Sequence, residues 1–470
     1  MPVLAGCAVP HPPIIVPAVG KGEERVISKT IEAYREVARR IAALQPDTLV
    51  IMSPHATAYL DYFHIAPGPG ATGDLSQFNA PQTRFAVDYD QELVAAICRQ
   101  AADRDIPAGT EGEKDPSLDH GTMVPLSFIC EQIPRPRIVR LGLSWLPPLT
   151  HYRLGEAIAA AADKLGRRIV FVASGDLSHR LSELGPYGYD PAGPQFDEQV
   201  TQAFASGDFG VLLRFEESFC EAAGECGLRS FITMAGALDG RPVSSELLSH
   251  EGPWGVGYGV AWFSPKDGAD PHRRFGQAYV AEQLASATKA RAGQDPLVQL
   301  ARFSIEHRLS TGHTARWPSD VPAELLESLP SEALDTRAGA FVSLHKDGRL
   351  RGCIGTILPT ASCLGEEIVR NAVSAALDDP RFDPVAPSEL PRLIYSVDVL
   401  SAPEPIAGPD ELDPARYGVI VSCGNRRGLL LPDLDGVDTV DQQIDIARRK
   451  GGIGAGEPYR LERFTVVRHT

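Results

Sequence analysis

Residues 8–17, AVPHPPIIVP, place a histidine between two prolines, and they overlap the end of an apolar run, Val3–Val9. Proline fixes its own φ at about −65° and also restricts the residue that precedes it. The backbone of His11 therefore has little conformational freedom left to lose. This stretch predicts a short buried β-strand whose carboxyl end presents an imidazole in a fixed direction.

Outward from this strand, residues 1–263 alternate short apolar runs with longer amphipathic segments. In Glu23–Leu44 the apolar residues recur near the helical period, and two further segments behave similarly, Gln91–Asp103 and His151–Leu165. Strands that alternate with helices predict an α/β domain, with a mostly parallel central sheet and helices on both faces. Besides Val3–Val9, the predicted strands are Thr48–Met52, Arg137–Leu143, Arg168–Ala173 and Val256–Phe263.

The remainder of the chain has a different character. Residues 264–294 are polar and rich in alanine, which predicts a partly helical linker. Residues 295–470 predict an α+β domain that contains a hairpin at 340–355, because Asp347-Gly348 is a favoured two-residue turn. Helices are predicted at Leu297–Leu309, Gly365–Leu377 and Val440–Lys450.

Composition excludes several function classes. The chain has 470 residues and a net charge of −16, which disfavours a nucleic-acid partner because phosphate binding needs clustered Lys and Arg. It contains neither a long apolar run of membrane-spanning length nor an N-terminal secretory pattern. Its eight cysteines form no CxxC pair and are expected to be reduced thiols. We therefore expect a cytoplasmic protein that binds neither nucleic acid nor membranes.

Four of the twelve histidines occupy similar positions in the first predicted domain. His11, His55 and His179 follow predicted strands, and His120 lies in a polar loop that precedes an apolar segment. In an open parallel sheet, ligands bind at the carboxyl ends of the strands, so these histidines should converge on one edge. Neutral imidazole is the commonest metal ligand in proteins, and the cluster therefore predicts a metal site.

The remaining ligands decide the chemistry of such a site. Two histidines and a carboxylate leave open positions on Fe(II), which suits oxygen chemistry, whereas the same ligands on zinc suit hydrolysis. Glu225 and Asp176 are the best carboxylate candidates, and Cys226 is a softer alternative to Glu225. Ligand type alone leaves zinc and copper open beside iron.

Five sequence blocks follow one another in residues 1–263: VPHPPIIVP (9–17), VIMSPHAT (50–57), LDHGTMVPL (118–126), VASGDLSHR (172–180) and GPWGVGYGVAWF (252–263). Together they resemble the class III extradiol ring-cleavage dioxygenases (LigB-like proteins) and also the MEMO proteins, which share that fold. The resemblance implies an oxidoreductase with non-haem Fe(II), with His11 and His55 as ligands, acting on a small, catecholic substrate. Glu225 would be the third ligand in the dioxygenase pattern. Cys226 would take that place in the MEMO pattern, where metal binding or redox chemistry replaces ring cleavage.

The same resemblance implies roles for the other polar residues of the site. His179 would act as the general acid and base, because histidine suits both tasks near neutral pH. His120 would orient the substrate or oxygen. Asp176 lies three residues before His179 and would hold the tautomer of its imidazole.

Five further blocks lie in residues 295–470: RLRGCIG (349–355), AALDDPRFDPV (375–385), ELPRLIYSVDVLS (389–401), RGLLLP (427–432) and RFTV (463–466). Together they resemble the AMMECR1 family, whose biochemical activity is not established. The sharpest block contains Arg351, Gly352, Cys353 and Gly355, where a cysteine beside an arginine is a candidate nucleophile or a buried small residue of a tight strand. Proteins of the MEMO and AMMECR1 types commonly occur with a radical-SAM protein, so the resemblance implies a radical-SAM partner.

Overall fold

The computed structural model describes residues 2–434 and 436–470, and the chain divides into two units after Val280. The strands of the first unit are β1 (Val3–Val9), β2 (Thr48–Ser53), β3 (Phe63–His64), β4 (Gly70–Leu75), β5 (Ala80–Tyr89), β6 (Ala108–Gly109), β7 (Arg137–Gly142), β8 (Ile169–Ser174), β9 (Val243–Glu251) and β10 (Tyr258–Pro265). Eight of them form one sheet in the order β4-β5-β7-β2-β8-β1-β10-β9, and β3 pairs with β6.

The five central strands, β5, β7, β2, β8 and β1, pair in parallel. Antiparallel pairs close both sides of the sheet, β4 with β5 on one side and β10 with β1 and β9 on the other. Because the central strands are parallel, their carboxyl ends meet at one edge of the sheet. The predicted α/β class, with a mostly parallel central sheet, is confirmed.

Alternating side chains of the central strands build two cores, one on each face. In β8, Phe171 packs into one core and Val172 into the other, and both are fully buried. Burying such a side chain contributes roughly 1.5–3 kcal/mol, so these near-continuous apolar strands favour helices on both faces. The helices are α1 (Pro17–Gly20), α2 (Ser28–Leu44), α3 (Gln91–Ala102), α4 (His120–Ile129), α5 (Pro148–Leu165), α6 (Ala192–Ser206), α7 (Glu217–Ala223) and α8 (Leu228–Ala237).

Five strands of the first unit lay outside the sequence prediction: β3, β4, β5, β6 and β9. β3 and β6 have only two residues each. β4 and β9 are edge strands, and β5 alternates buried with exposed or partly buried residues, so these three lack continuous apolar runs. The segment 264–294, predicted as a partly helical linker, is largely one helix, α9 (Phe275–Ala292). That helix crosses the division between the two units.

The second unit combines helices with two antiparallel sheets, which confirms the α+β class. The sheets have the orders β12-β11-β13-β18 and β14-β17-β15-β16. Its strands are β11 (Ala340–Lys346), β12 (Arg349–Gly355), β13 (Leu393–Leu400), β14 (Glu404–Ile406), β15 (Gly418–Cys423), β16 (Arg426–Leu430), β17 (Arg460–Phe464) and β18 (Val466–His469). Its helices are α10 (Pro296–Thr311), α11 (Ala323–Ser328), α12 (Ser331–Asp335), α13 (Leu364–Leu377) and α14 (Val440–Lys450).

Within residues 2–434 and 436–470, every helix is too short or too polar to cross a bilayer.

Helices α5 and α8 pack closely because Gly155 has no side chain at their contact. A Cβ on Gly155 would lie 1.9 Å from the Thr233 carbonyl oxygen, so the two helices would have to separate. We expect Gly155→Ala to lower the free energy of unfolding by about 1–3 kcal/mol through overpacking, although alanine is the better helix former. Chemical denaturation of the full chain measures this change. Gly293→Ala, where no atom lies within 4 Å of the new Cβ, is the matched control and should be neutral.

Candidate metal centre

Two hydrogen bonds fix the backbone at the first histidine of the site. His11 follows β1 and is 2% exposed, and its backbone N–H donates to Asp176 Oδ1 at 2.8 Å. The preceding carbonyl, of Pro10, accepts a hydrogen bond from the Tyr34 hydroxyl. A 3-10 turn then begins at Pro13. The two flanking prolines and these bonds leave the imidazole a single direction.

His55 and His120 converge on His11 from two other strand-end loops. His55 Nε2 lies 3.0 Å from His11 Nε2, and the His55 and His120 rings have centroids 3.9 Å apart. His120 is the first residue of α4, whose N-cap is Asp119. His55 is exposed, whereas His120 is half-buried, so the cluster opens to solvent on the His55 side.

Cys226 is the third group that reaches His11. Its Sγ lies 3.7 Å from His11 Nε2 and accepts a hydrogen bond from the Asp176 backbone N–H at 3.3 Å. His11, Asp176 and Cys226 thus offer ligand atoms within 4.8 Å of one another, as do His11, His55 and His120. His11 belongs to both groups and is the centre of the site.

Glu225, the first carboxylate choice from the sequence, points elsewhere. Its Oε2 accepts the backbone N–H of Leu228 at 2.7 Å, at the start of α8, and its Oε1 lies 3.9 Å from Arg229. An orphan N–H at a helix N-terminus attracts such a carboxylate. In the described structure Cys226, rather than Glu225, faces His11.

Ser174 sets the tautomer of His11. Its Oγ donates to the Gly121 carbonyl at 2.5 Å and lies 3.0 Å from His11 Nδ1. A hydroxyl has one proton to donate, so the contact with His11 requires Nδ1–H as the donor. The lone pair is then on Nε2, the atom that faces His55 and Cys226. Hydrogen bonding at the second ring nitrogen is the usual way in which proteins orient a metal-binding histidine.

A second serine serves the other side of the cluster. Ser53, the last residue of β2, donates from Oγ to Asp119 Oδ1 at 2.5 Å and accepts the His55 backbone N–H at 3.2 Å. Sequence reasoning missed Ser174, Ser53 and Asp119. The available signal was the serine that ends each strand, in VAS and in IMS, next to a histidine loop.

The protonation of the cluster suits metal binding. Burial lowers the pKa of His11 well below its usual range, and the neighbouring His55, His120 and His179 lower it further. Burial likewise lowers the pKa of His55, and it lowers the pKa of both His120 and His179 to about 4. All four imidazoles are therefore neutral at pH 7, with lone pairs available.

Two pairs of donor atoms in the cluster have metal-like separations. Ligands bound at about 2.0–2.3 Å with angles of roughly 90–110° have donor atoms about 2.8–3.8 Å apart. The two Nε2 atoms, at 3.0 Å, and the Sγ–Nε2 pair, at 3.7 Å, lie in this range. His55 and Cys226 belong to different groups around His11, so they would have to approach each other to share an ion. His11, His55 and Cys226 would then hold the ion, and His120 would lie beside it.

His179 lies at the site but has different neighbours from those predicted. Its ring stacks on Tyr187 with centroids 5.1 Å apart, and its Nε2 is buried without a hydrogen-bond partner within the described residues. Asp176, which was expected to hold the His179 tautomer, instead binds the His11 backbone. Burial raises the pKa of Asp176 to about 7, so this carboxyl is also a proton-holding group.

A cleft of about 1210 Å³ opens beside His55 and His120. The Phe78 ring on its wall meets the His120 ring edge-on, with centroids 5.5 Å apart. The cleft is therefore a route by which a small molecule reaches the histidine cluster.

A family model described as the catalytic LigB subunit of aromatic ring-opening dioxygenase matches residues 6–261. The chain belongs to the LigB family. A second model, AMMECR1, matches residues 298–469, so a LigB domain and an AMMECR1 domain share one chain, as the sequence blocks implied.

Relatives of known sequence or structure are similar over different parts of the chain. A Clostridium acetobutylicum protein is 39% identical over 468 residues, 98% of each chain. A Thermotoga maritima protein is 50% identical over 179 residues, 38% of this chain and 98% of its own. The crystal structure of an uncharacterised Pyrococcus horikoshii protein has a TM-score of 0.33 at 32% identity and covers 37% of this chain and 89% of its own.

The AMMECR1 motif lies on β12, which pairs with β11. Cys353 Sγ is 3.2 Å from Ser343 Oγ, and the Cys353 backbone N–H donates to Asp379. A Cβ on Gly352 would lie 2.1 Å from a carbonyl oxygen of α13, and one on Gly355 would meet the Phe341 ring at 2.3 Å. Close packing thus explains both glycines of the motif.

Arg351 of the same motif pairs with a carboxylate. Its Nη2 lies 2.9 Å from Glu389 Oε2, and Lys346 binds the other carboxylate oxygen. Burial opposes ionisation of Glu389, but the hydrogen bonds from Arg351 and Lys346 outweigh it and lower the pKa of Glu389 to about 2. Arg351 is therefore an ion-pair partner of Glu389 and does not lie free beside the Cys353 thiol.

Removal of the Ser174 hydroxyl tests the tautomer argument. Ser174→Ala lets the His11 proton move to Nε2, which cannot then bind a metal, so we expect metal affinity to fall by about 10–100-fold. Titration of metal-free protein with Co²⁺, followed by visible absorption, measures this loss. Ser127→Ala is the control, because that hydroxyl donates only to a carbonyl within α4, and it should bind Co²⁺ as the unmodified chain does.

Proposed function

We propose that the LigB domain is a metal-dependent oxidoreductase that holds its ion through His11, His55 and Cys226. The main support for this proposal is the distance of 3.7 Å between Cys226 Sγ and His11 Nε2, whereas Glu225 accepts a backbone hydrogen bond at the start of α8. A thiolate in this place matches the MEMO pattern more closely than the dioxygenase pattern. The proposed role is therefore metal-based redox chemistry without ring cleavage.

Fe(II) is the ion that we propose, since histidine ligands with open positions suit iron and oxygen chemistry. A thiolate is a softer ligand than a carboxylate and brings zinc and copper into the same range. When bound, the ion would supply redox or Lewis-acid chemistry to a small molecule in the cleft. The protein's own part is to orient that molecule, to keep the imidazoles neutral and to hold a proton on Asp176 or His179.

The cellular setting is also part of the proposal. All eight cysteines are free thiols, which supports a cytoplasmic location. The AMMECR1 domain supports a role beside a radical-SAM partner. That partner would be a separate protein, because this chain has no CxxxCxxC motif for an iron–sulfur cluster. Co-expression of the two proteins followed by size-exclusion chromatography tests the partnership, which separate elution at micromolar concentration would contradict.

A second function is favoured by the family itself. The matching model describes a ring-opening dioxygenase, and the neutral His179 and His120 suit proton transfer to and from a catechol. In this function, His179 would accept the substrate proton at Nε2, the atom that is buried and unpartnered in the described structure. His120 would orient the substrate from the wall of the cleft.

Ligand variants distinguish Cys226 from Glu225. We expect Cys226→Ser to lower metal affinity by about 10–100-fold, whereas Glu225→Gln should bind metal like the unmodified chain.

Burial raises the pKa of the Cys226 thiol, so the metal-free thiol is protonated and binding must release its proton. Metal affinity should therefore rise with pH, and about one proton less should be released by Cys226→Ser. Calorimetry in buffers of different ionisation enthalpy measures the proton count, and the reverse ranking of the two variants would overturn the assignment.

A catechol panel separates the two functions. After anaerobic loading with Fe(II), we expect catechols to give no yellow ring-fission product and no oxygen uptake. Ring fission would instead establish the second function, and His179→Gln should then abolish it while leaving the iron content unchanged. Iron analysis of each sample ensures that a negative result comes from loaded protein.

A further inference from the structure

A second cavity lies behind the loop that carries His11. It measures about 430 Å³ and is bounded by the turn after His11, by α2, by β5 and by α4. Small-ligand pockets have volumes of about 300–1,000 Å³, so the cavity has the size of a binding site. Phe85 borders both this cavity and the cleft beside His55. An occupant would thus touch a wall that the two spaces share.

The lining of the cavity is apolar, and its charges are of both signs. Apolar contacts come from Ile15, Val16, Ile31, Phe85 and Phe128. Two of these, Ile15 and Val16, are buried and belong to the segment that follows His11. A ligand gains from apolar burial where the lining is still partly exposed, as at Ile31, in proportion to the area removed from water. The occupant therefore needs an apolar body of moderate size.

The charged side chains that line the cavity indicate which charged groups the ligand carries beside its apolar part. Arg25 and Arg35 are exposed, as is Glu32, and Glu131 joins them on the lining. Within the described residues, none of these four has an ion-pair partner, whereas Glu24 accepts a hydrogen bond from the Gly22 N–H. A ligand with a single charge would match one sign and leave the other unmatched. A ligand with one charge of each sign satisfies both.

We propose that this cavity binds a small zwitterion with an apolar body, of the class of apolar α-amino acids such as phenylalanine and leucine. The carboxylate would meet Arg25 and Arg35, and the ammonium group would meet Glu32 and Glu131. The apolar side chain would pack against Phe85 and Phe128.

The cavity is mechanically joined to the metal centre. Phe128 stacks on Tyr34, with centroids 4.3 Å apart and planes inclined by 15°, and the Tyr34 hydroxyl donates to the Pro10 carbonyl beside His11. Phe128 also lies on α4, the helix that begins at His120. A ligand against Phe128 therefore acts on the segments that position two of the histidines. Occupation of the cavity changes the metal affinity, and by linkage the metal changes the ligand affinity by the same factor.

Calorimetry on the metal-free full chain tests the binding, independently of the proposed metal function. We expect L-phenylalanine to bind with a Kd of about 1 mM or tighter. Two half-molecules, phenethylamine without the carboxylate and hydrocinnamate without the ammonium group, should each bind at least about tenfold more weakly. Equal binding of all three compounds, or no binding of phenylalanine or leucine up to about 10 mM, would overturn the proposal.

Variants locate the site. Ile31→Trp fills the cavity and Arg35→Glu reverses a charge, so each should weaken phenylalanine binding by about tenfold or more. Arg39→Glu is the matched control on the same helix, because Arg39 pairs with Glu36 and does not line the cavity. It should bind as the unmodified chain does, and an equal loss in Arg35→Glu and Arg39→Glu would contradict the location. Circular dichroism confirms that each variant is folded.

The coupling between the cavity and the metal centre rests on the proposed metal function, and a separate experiment measures it. Saturating phenylalanine should change the Co²⁺ dissociation constant of the unmodified chain by about fivefold or more and should leave that of Ile31→Trp unchanged. An unchanged constant in a chain that binds both phenylalanine and Co²⁺ would overturn the coupling but not the site. A chain that binds phenylalanine without binding Co²⁺ would count against the metal function alone.

Discussion

The hydroxyl of Ser174 is the contact on which the metal centre depends. It joins the end of β8 to the first turn of α4 and also fixes the proton of His11 on Nδ1. A single small side chain thus sets both the distance between two loops and the direction of a lone pair. Ser53 repeats the arrangement at the end of β2, where it binds Asp119 of the same helix terminus. The N-terminal turn of α4 is therefore the common anchor of the site.

Several residues of the site have backbone roles that chemistry alone would not suggest. Asp176 accepts the N–H of His11, and Glu225 accepts an N–H at the start of α8. Both carboxylates are thus committed to holding loops in place. Cys226, between Glu225 and the α8 terminus, is left to face His11. The geometry of the loops thus determines which of these side chains faces His11.

Much of the fold followed from local pattern. The apolar runs of the central strands and the amphipathic period of α2 predicted the α/β class, and AFVSLHKDGRLRGCIG predicted the β11–β12 hairpin. The strands β3, β4, β5, β6 and β9 were missed. β3 and β6 are only two residues long, and the other three are partly buried, so they need not carry an apolar run. The helix α9 was underestimated for a related reason, since its apolar residues do not form a distinct face.

The amino-acid sequence by itself determined that histidines follow the strands of a parallel sheet, because parallel strands end at a common edge and the prolines around His11 restrict its backbone. It also determined that a LigB domain and an AMMECR1 domain share the chain, since both carry local motifs. Only the tertiary structure showed which of the chain neighbours Glu225 and Cys226 faces His11. A one-residue difference changes the direction of a side chain, and that direction depends on a hydrogen bond to α8 and on the distance to His11, neither of which is local in sequence.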